Sequence, residues 1–111
     1  MRAKEFLNSI AKYDSMMVNA MLEQKTWADI IGESDIEGRI NEIKAKRRQV
    51  LDIVERLPTD EYEVIYKRFA QGRTYNEIAD ELSRSVSWVT KKKKSGMLII
   101  QNILDSEEVD I

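Results

Sequence analysis

An all-α fold is what this sequence of 111 residues predicts, on three observations. Apolar residues recur at three- and four-residue steps through most of the chain, the period of a helix with one buried face. Helix start and stop signals punctuate it at short intervals. Four glycines and one proline are too few for a turn-rich β protein or a disordered chain. The composition also narrows function. Without cysteine or histidine there is no thiolate, no disulfide and no imidazole base or ligand. Carboxylates alone can hold Mg²⁺ or Ca²⁺, but no EF-hand loop is present. Asp14, Asp29 and Asp35, or Glu61 and Asp80, could be read as paired carboxylates, but acids at helix starts explain nearly all of them. No cofactor, metal or catalytic residue is therefore expected, and no enzyme. No apolar run approaches the ~18 residues of a membrane span. Charge interrupts the opening MRAKEFLNSIAKYD too early for a secretory signal. The expectation is a cytoplasmic protein with no membrane contact.

The elements follow in order. Phe6, Leu7, Ile10, Tyr13, Met17, Ala20 and Met21 predict an amphipathic helix over residues 3–24. Thr26 is read as the cap of a separate short turn, Trp27–Ile31, stopped by Gly32. Residues 32–35 read as a loop, with Ser34 or Asp35 capping the next helix. That helix, 36–57, carries Ile36, Ile40, Ile43, Val50, Val54 and Leu57, a heptad seam broken at Arg47. Packing on the first helix of the same chain is the preferred reading, and a homodimer seam is the alternative. Pro58 ends this helix, because the residue before a proline is pushed out of α geometry. Thr59 is a candidate N-cap for a helix near 60–70, closed by Gly72. Thr74-Tyr75-Asn76-Glu77 reads as a capping box opening helix 75–82. Ser83 and Arg84 form a turn, and Ser85 caps a last helix, 86–104. Residues 105–111, with four acids and no base, should fray at the negative end of that helix.

The net charge of −2 conceals a local excess. Residues 83–104 hold Arg84 and Lys91–Lys94 and no acid. A partner feels this local field over the Debye length of about 8 Å, not the total.

Two helices joined by a turn of about three residues, with the small Ala79 at their crossing and Ile78, Leu82 and Val89 between them, have the arithmetic of a helix-turn-helix. Tyr66 and Phe69 are expected to share that core. Val86, Ser87, Thr90, Lys91 and Lys94 then point away from the packed face, where a recognition helix meets bases and phosphates.

The residues Leu57-Pro58, Glu61, Val64-Ile65, Arg68-Phe69, Gly72 through Ala79, Leu82, Ser85 and Val89 carry a family pattern. It is an L-P-x-x-E-x-x-V-like helix, a G-x-[ST]-[YLW]-x-E-I-A helix, then S-x-x-x-V. In this the stretch from Leu57 to roughly Leu104 resembles region 4 of bacterial sigma factors. An N-terminal helical arm followed by a lone domain of this type resembles small phage and prophage transcription regulators, including ArpU-type late-gene activators. The first 56 residues lack an aromatic, basic helix suited to stacking unpaired bases, so a complete sigma factor is not expected. The sequence departs from the pattern at Arg84, at Lys92 or Lys93, and at Gly96, where an apolar residue, an apolar residue and alanine are usual.

The resemblance implies a division into an arm, 1–57, a helix-turn-helix domain, 58–104, and an acidic tail, 105–111. It implies a sequence-specific regulator with its recognition helix in the major groove of double-stranded DNA and another face on RNA polymerase. The DNA-contacting residues are then Ser85, Val86, Ser87, Trp88, Thr90 and Lys91, Lys92, Lys93 and Lys94, helped by Arg73 and Arg84. For Trp88 a thymine methyl is one partner, and packing between the helix-turn-helix and the arm is the favoured one. Two alternatives stand beside this reading. One is a module docking on RNA polymerase or a sigma factor with little DNA binding. The other is a small terminase-like DNA-packaging protein.

Overall fold

The computed structural model describes residues 1–107 apart from Gly32, with the side chains of residues 23–36 left out of the description. Among the described residues the chain is helical with no strand: α1 (Ala3–Ile31), α2 (Glu33–Val54), α3 (Thr59–Ile65, prolonged by a π-helical turn, Tyr66–Ala70), α4 (Tyr75–Leu82) and α5 (Val86–Glu107). The expected break after residue 24 does not occur. Neither glycine nor proline lies between residues 3 and 31, so nothing stops α1 before Ile31. The segment 27–31 is its last part and not a separate turn. Residues 33–35 are helical rather than loop. Thr26 thus lies inside α1, and Ser34 and Asp35 inside α2, so none of them stands at the helix start expected of it; the expected stop at Gly32 lies outside the described residues.

α1 and α2 pack antiparallel as a hairpin, and at about 1.5 Å per residue α1 alone runs for roughly 43 Å; the molecule is 52 Å in its longest dimension. Phe6, Leu7, Ile10, Tyr13 and Ala20 of α1 are buried with Ile40, Ile43, Val50 and Val54 of α2. The heptad seam is thus filled within the chain. The seam's charged residue finds its acid there too: the Arg47 guanidinium lies 2.7 Å from the Asp14 carboxylate of α1. α2 ends at Val54, three residues earlier than expected. A proline ring clashes with the carbonyl four residues before it, here that of Val54. The chain tightens instead, Arg56 and Leu57 donating to the carbonyls of Ile53 and Val54 at 3.1 Å each.

α3 starts with the Pro58 carbonyl accepting from the Tyr62 amide at 2.8 Å, so Thr59 is its first residue and not its cap. The π turn puts one extra residue into this helix and rotates its faces. Val64 reaches the helix-turn-helix core, while Ile65 joins the core of the hairpin. Tyr66 and Phe69, expected in the former, pack half-buried against the latter. Gly72 closes the element with φ +66°, a conformation that favours glycine. The closing bond runs from the Arg73 amide to the Lys67 carbonyl at 3.0 Å, one residue wider than in a Schellman motif.

α5 serves both cores. Val89 lies with Val64, Ile78 and Ala79, whereas Ile100 and Leu104 lie with α1 and α2. Its end is also held. Glu107 accepts two bonds of 2.7 Å from Arg56, and Asp105 accepts one of 3.0 Å from Gln101. Residues 105–107 are therefore helical where fraying was expected, because Arg56 brings a cation to the negative end of α5. The rest of the tail, 108–111, lies outside the described residues.

Candidate nucleic-acid interface

The helix-turn-helix is built from α4, the turn at Ser83-Arg84 and the first half of α5. Thr74 opens α4 as a full capping box: its hydroxyl accepts from the Glu77 amide at 3.2 Å, and the Glu77 carboxylate accepts from the Thr74 amide at 3.1 Å. The bond donated by the Thr74 amide first, then the neighbouring Thr74 hydroxyl and the Arg73 guanidinium, hold the Glu77 carboxyl below its ordinary range. Its folded-state value is lower than its unfolded one, so its contribution to stability is present at neutral pH and is lost as the pH falls through the folded value. The urea midpoint of Glu77→Gln should therefore fall less between neutral and acid pH than that of the parent chain. Equal pH dependence in urea titrations at neutral and acid pH would refute this.

Ser83 takes the left-handed conformation, φ 55°, and lets the chain reverse, with the Arg84 amide bonded to the Ala79 carbonyl at 2.9 Å. Ser85 then caps α5, its hydroxyl accepting from the Trp88 amide at 3.1 Å. Ala79, 5% exposed, lies under α5 beside Ile78 and Val89, with Leu82 half-buried at the edge.

A second close approach joins α5 to α3 at Gly96. A Cβ there would lie 2.8 Å from Cγ1 of the buried Ile65 and 3.4 Å from Cβ of Glu61. The glycine that departs from the family pattern is thus the point where these two helices touch. Beside it Glu61, 7% exposed, accepts from Lys92 at 3.4 Å and from Ser95 at 3.3 Å.

A family model described as Sigma-70, region 4 matches residues 53–101. This stretch is a sigma-70 region 4 domain. The match takes in the last two residues of α2 and ends at Gln101. No curated protein and no solved structure matches the chain significantly. Region 4 is a helix-turn-helix of the DNA-binding, transcription-related kind and is not an enzyme family.

Within the region 4 domain the expected contact residues fall into two groups. Arg84, Ser85, Val86, Ser87, Lys91 and Lys94 are exposed. Ser87, Lys91 and Lys94 lie four and three residues apart, one stripe on the outer face of α5. Neither lysine of that stripe has an acid partner among the described residues. The second group is engaged within the domain. Trp88 is half-buried against the helix-turn-helix core, not against the arm, with the Arg84 guanidinium 4.9 Å and the Lys92 ammonium 5.8 Å from its ring centre. The Thr90 hydroxyl donates back to the Val86 carbonyl at 3.0 Å. Lys92 turns to Glu61, and Lys93 donates to the Tyr75 hydroxyl at 2.7 Å. That bond from Lys93, with Arg68 adding its charge, holds the Tyr75 phenol below its usual value. Arg73 faces Glu77 at 3.5 Å and Glu81 at 3.3 Å.

Two contributors went unseen in the sequence. Glu61 serves as internal acceptor for α5, and Arg68 stacks 4.8 Å over the Tyr75 ring while donating to the Arg73 carbonyl at 3.0 Å. The buried glutamate of the L-P-x-x-E pattern, facing a lysine where an apolar residue is usual, was the signal available for the first.

Proposed function

We propose that the chain is a DNA-binding transcription regulator of the phage or prophage kind, acting in the cytoplasm of a bacterial host. The N-terminal half of α5, from Ser85 to Lys94, enters the major groove, and another face of the domain contacts RNA polymerase. The observation that carries the reading is the outer stripe of α5: Lys91 and Lys94 are exposed without acid partners among the described residues, roughly two turns past a capped helix start, in a stretch that matches region 4. Exposed cations at that place meet phosphates. Arg84 and Ser87 flank the stripe. Lys92 and Lys93 shape the helix and add their field, and their ammonium groups are committed to Glu61 and Tyr75. In this division residues 1–57 are the arm and 58–104 the DNA-binding unit. A homodimer through residues 36–57 would use a face other than the heptad seam, since Ile40, Ile43, Val50 and Val54 are buried within the chain.

Binding to random-sequence duplex DNA, titrated by fluorescence anisotropy over a range of salt, tests this. Lys91→Ala with Lys94→Ala should lower the slope of log affinity against log salt by about 1–2, since each phosphate contact releases about one counterion. Lys92→Ala should change the slope less and the stability more. If the first pair leaves binding unchanged at every salt concentration, docking on polymerase or on a sigma factor is the better account. The engagement of Lys92 and Lys93 inside the domain favours that second reading.

A further inference from the structure

We propose that the first turn of α1 extends the DNA contact beyond the region 4 domain. On this reading Arg2 and Lys4 bind the phosphate backbone of double-stranded DNA that borders the groove occupied by α5. The inference rests on the DNA-binding reading above and adds residues that lie outside the family match.

Arg2 and Lys4 are exposed and line a shallow concavity with Lys94, Leu98 and Gln101 of α5. Lys4 also lines a neighbouring hollow with Arg68, Tyr75 and Lys93, and no carboxylate lines that one. Arg2, Lys4, Arg68, Lys93 and Lys94, from three separate elements, therefore form one cationic strip that continues the outer face of α5. The carboxylate at its far end, Asp105, already accepts from Gln101. Neither Arg2 nor Lys4 has an acid partner among the described residues.

The strip is held in place. The Gln101 side-chain carbonyl accepts from the Ala3 amide at 2.8 Å, and its amide nitrogen donates to the Met1 carbonyl at 3.0 Å. One residue of α5 thus grips both sides of Arg2, while the buried Ala3, Phe6 and Leu7 seat the turn on the core. Ordered cations lose less freedom on meeting a ligand than cations on a loose terminus.

The shape and spacing suit a polyanion. The strip is open, with cations spread along it, and no buried donor defines a small-molecule pocket. Seven residues separate Ser87 from Lys94, roughly 10 Å along the helix axis. The major groove is about 12 Å wide, so a helix with Ser87 at the bases brings Lys94 near the bordering phosphates. Arg2 and Lys4 stand beside Lys94 at that border.

The test uses the full chain and a labelled random-sequence duplex, titrated across salt. Arg2→Gln with Lys4→Gln, which keeps polar side chains at both exposed positions, should lower the slope of log affinity against log salt by about 1–2 with helicity unchanged. The charge-preserving pair Arg2→Lys and Lys4→Arg should restore it. An unchanged slope in the glutamine pair, while Lys91→Ala with Lys94→Ala still lowers it, would overturn this extension and leave the proposed function standing. A slope lowered by neither pair would remove both. A slope lost in the glutamine pair and not recovered by the charge-preserving pair would assign the effect to packing, and would also overturn the proposal.

Discussion

Gly96→Leu should cost about 3 kcal/mol or more and lower the melting temperature by roughly 10–20 °C. The reason is the contact between α3 and α5. A Cβ at this position already falls 2.8 Å from Cγ1 and 3.3 Å from Cδ1 of Ile65, which is fully buried and β-branched. Cγ1 is not the free end of a flexible chain, and the Glu61 Cβ closes the other side at 3.4 Å. A leucine must therefore push the helices apart. That would separate Glu61 from Lys92 and Ser95 and leave a buried carboxylate short of donors. Gly96→Ala separates the two opposing effects. Alanine gains about 1 kcal/mol of helix propensity, but its Cβ at 2.8 Å from Cγ1 of Ile65 forces a shift of the buried neighbour, so it should still destabilise, by less than leucine. Differential scanning calorimetry of the two variants decides the matter. A leucine variant that melts with the parent chain would mean that α3 and α5 do not approach closely here.

Ala79→Leu should have a comparable effect, about 2–3 kcal/mol, and should also weaken DNA binding. Ala79 is 5% exposed where α4 crosses α5, in a cluster with the fully buried Val64, Ile78 and Val89. α5 is held a second time at Gly96, so the added volume at Ala79 must displace one of the two crossing helices. Relief would come by tilting the first half of α5, the half that carries Lys91 and Lys94. A variant that stays folded should thus bind DNA more weakly, whereas a conservative Ala79→Gly change should keep more of the binding than of the stability. Native affinity and native melting in Ala79→Leu would show that the crossing is not where these residues place it.

Local signals carried much of this structure. Thr74, Glu77, Ser85 and Gly72 each act within a few residues of themselves, and each does what its place in the sequence foretold. Thr26 misled for a matching reason: a cap residue is also tolerated inside a helix, and no glycine or proline near it forces a break. The lysine run shows the limit for the candidate site. Four consecutive residues sweep roughly 300° of a helix, so they cannot share one face. Period alone separates Lys91 and Lys94 from Lys92 and Lys93, but the partners Glu61 and Tyr75 come from α3 and α4 and leave no mark on the run itself. The same holds for Arg47 and Asp14, 33 residues apart, and for Gln101 with the first turn of α1. The π turn left no sequence signal that periodicity detects, and it is what sent Tyr66 and Phe69 to the other core.

Because α5 runs through both cores, the α1–α2 hairpin and the helix-turn-helix should share one folding event. A fragment cut to the family match would keep Ile100 with Ile53 and Val54, and would strip away all of α1 and the rest of α2, which share its core. Burial of a side chain of this size is worth about 1.5–3 kcal/mol, a large fraction of the stability of a small domain. The cooperative unit is therefore the whole helical chain. Hydrogen exchange in the second half of α5 should be as slow as in the hairpin, and anything that grips the hairpin acts at once on α5.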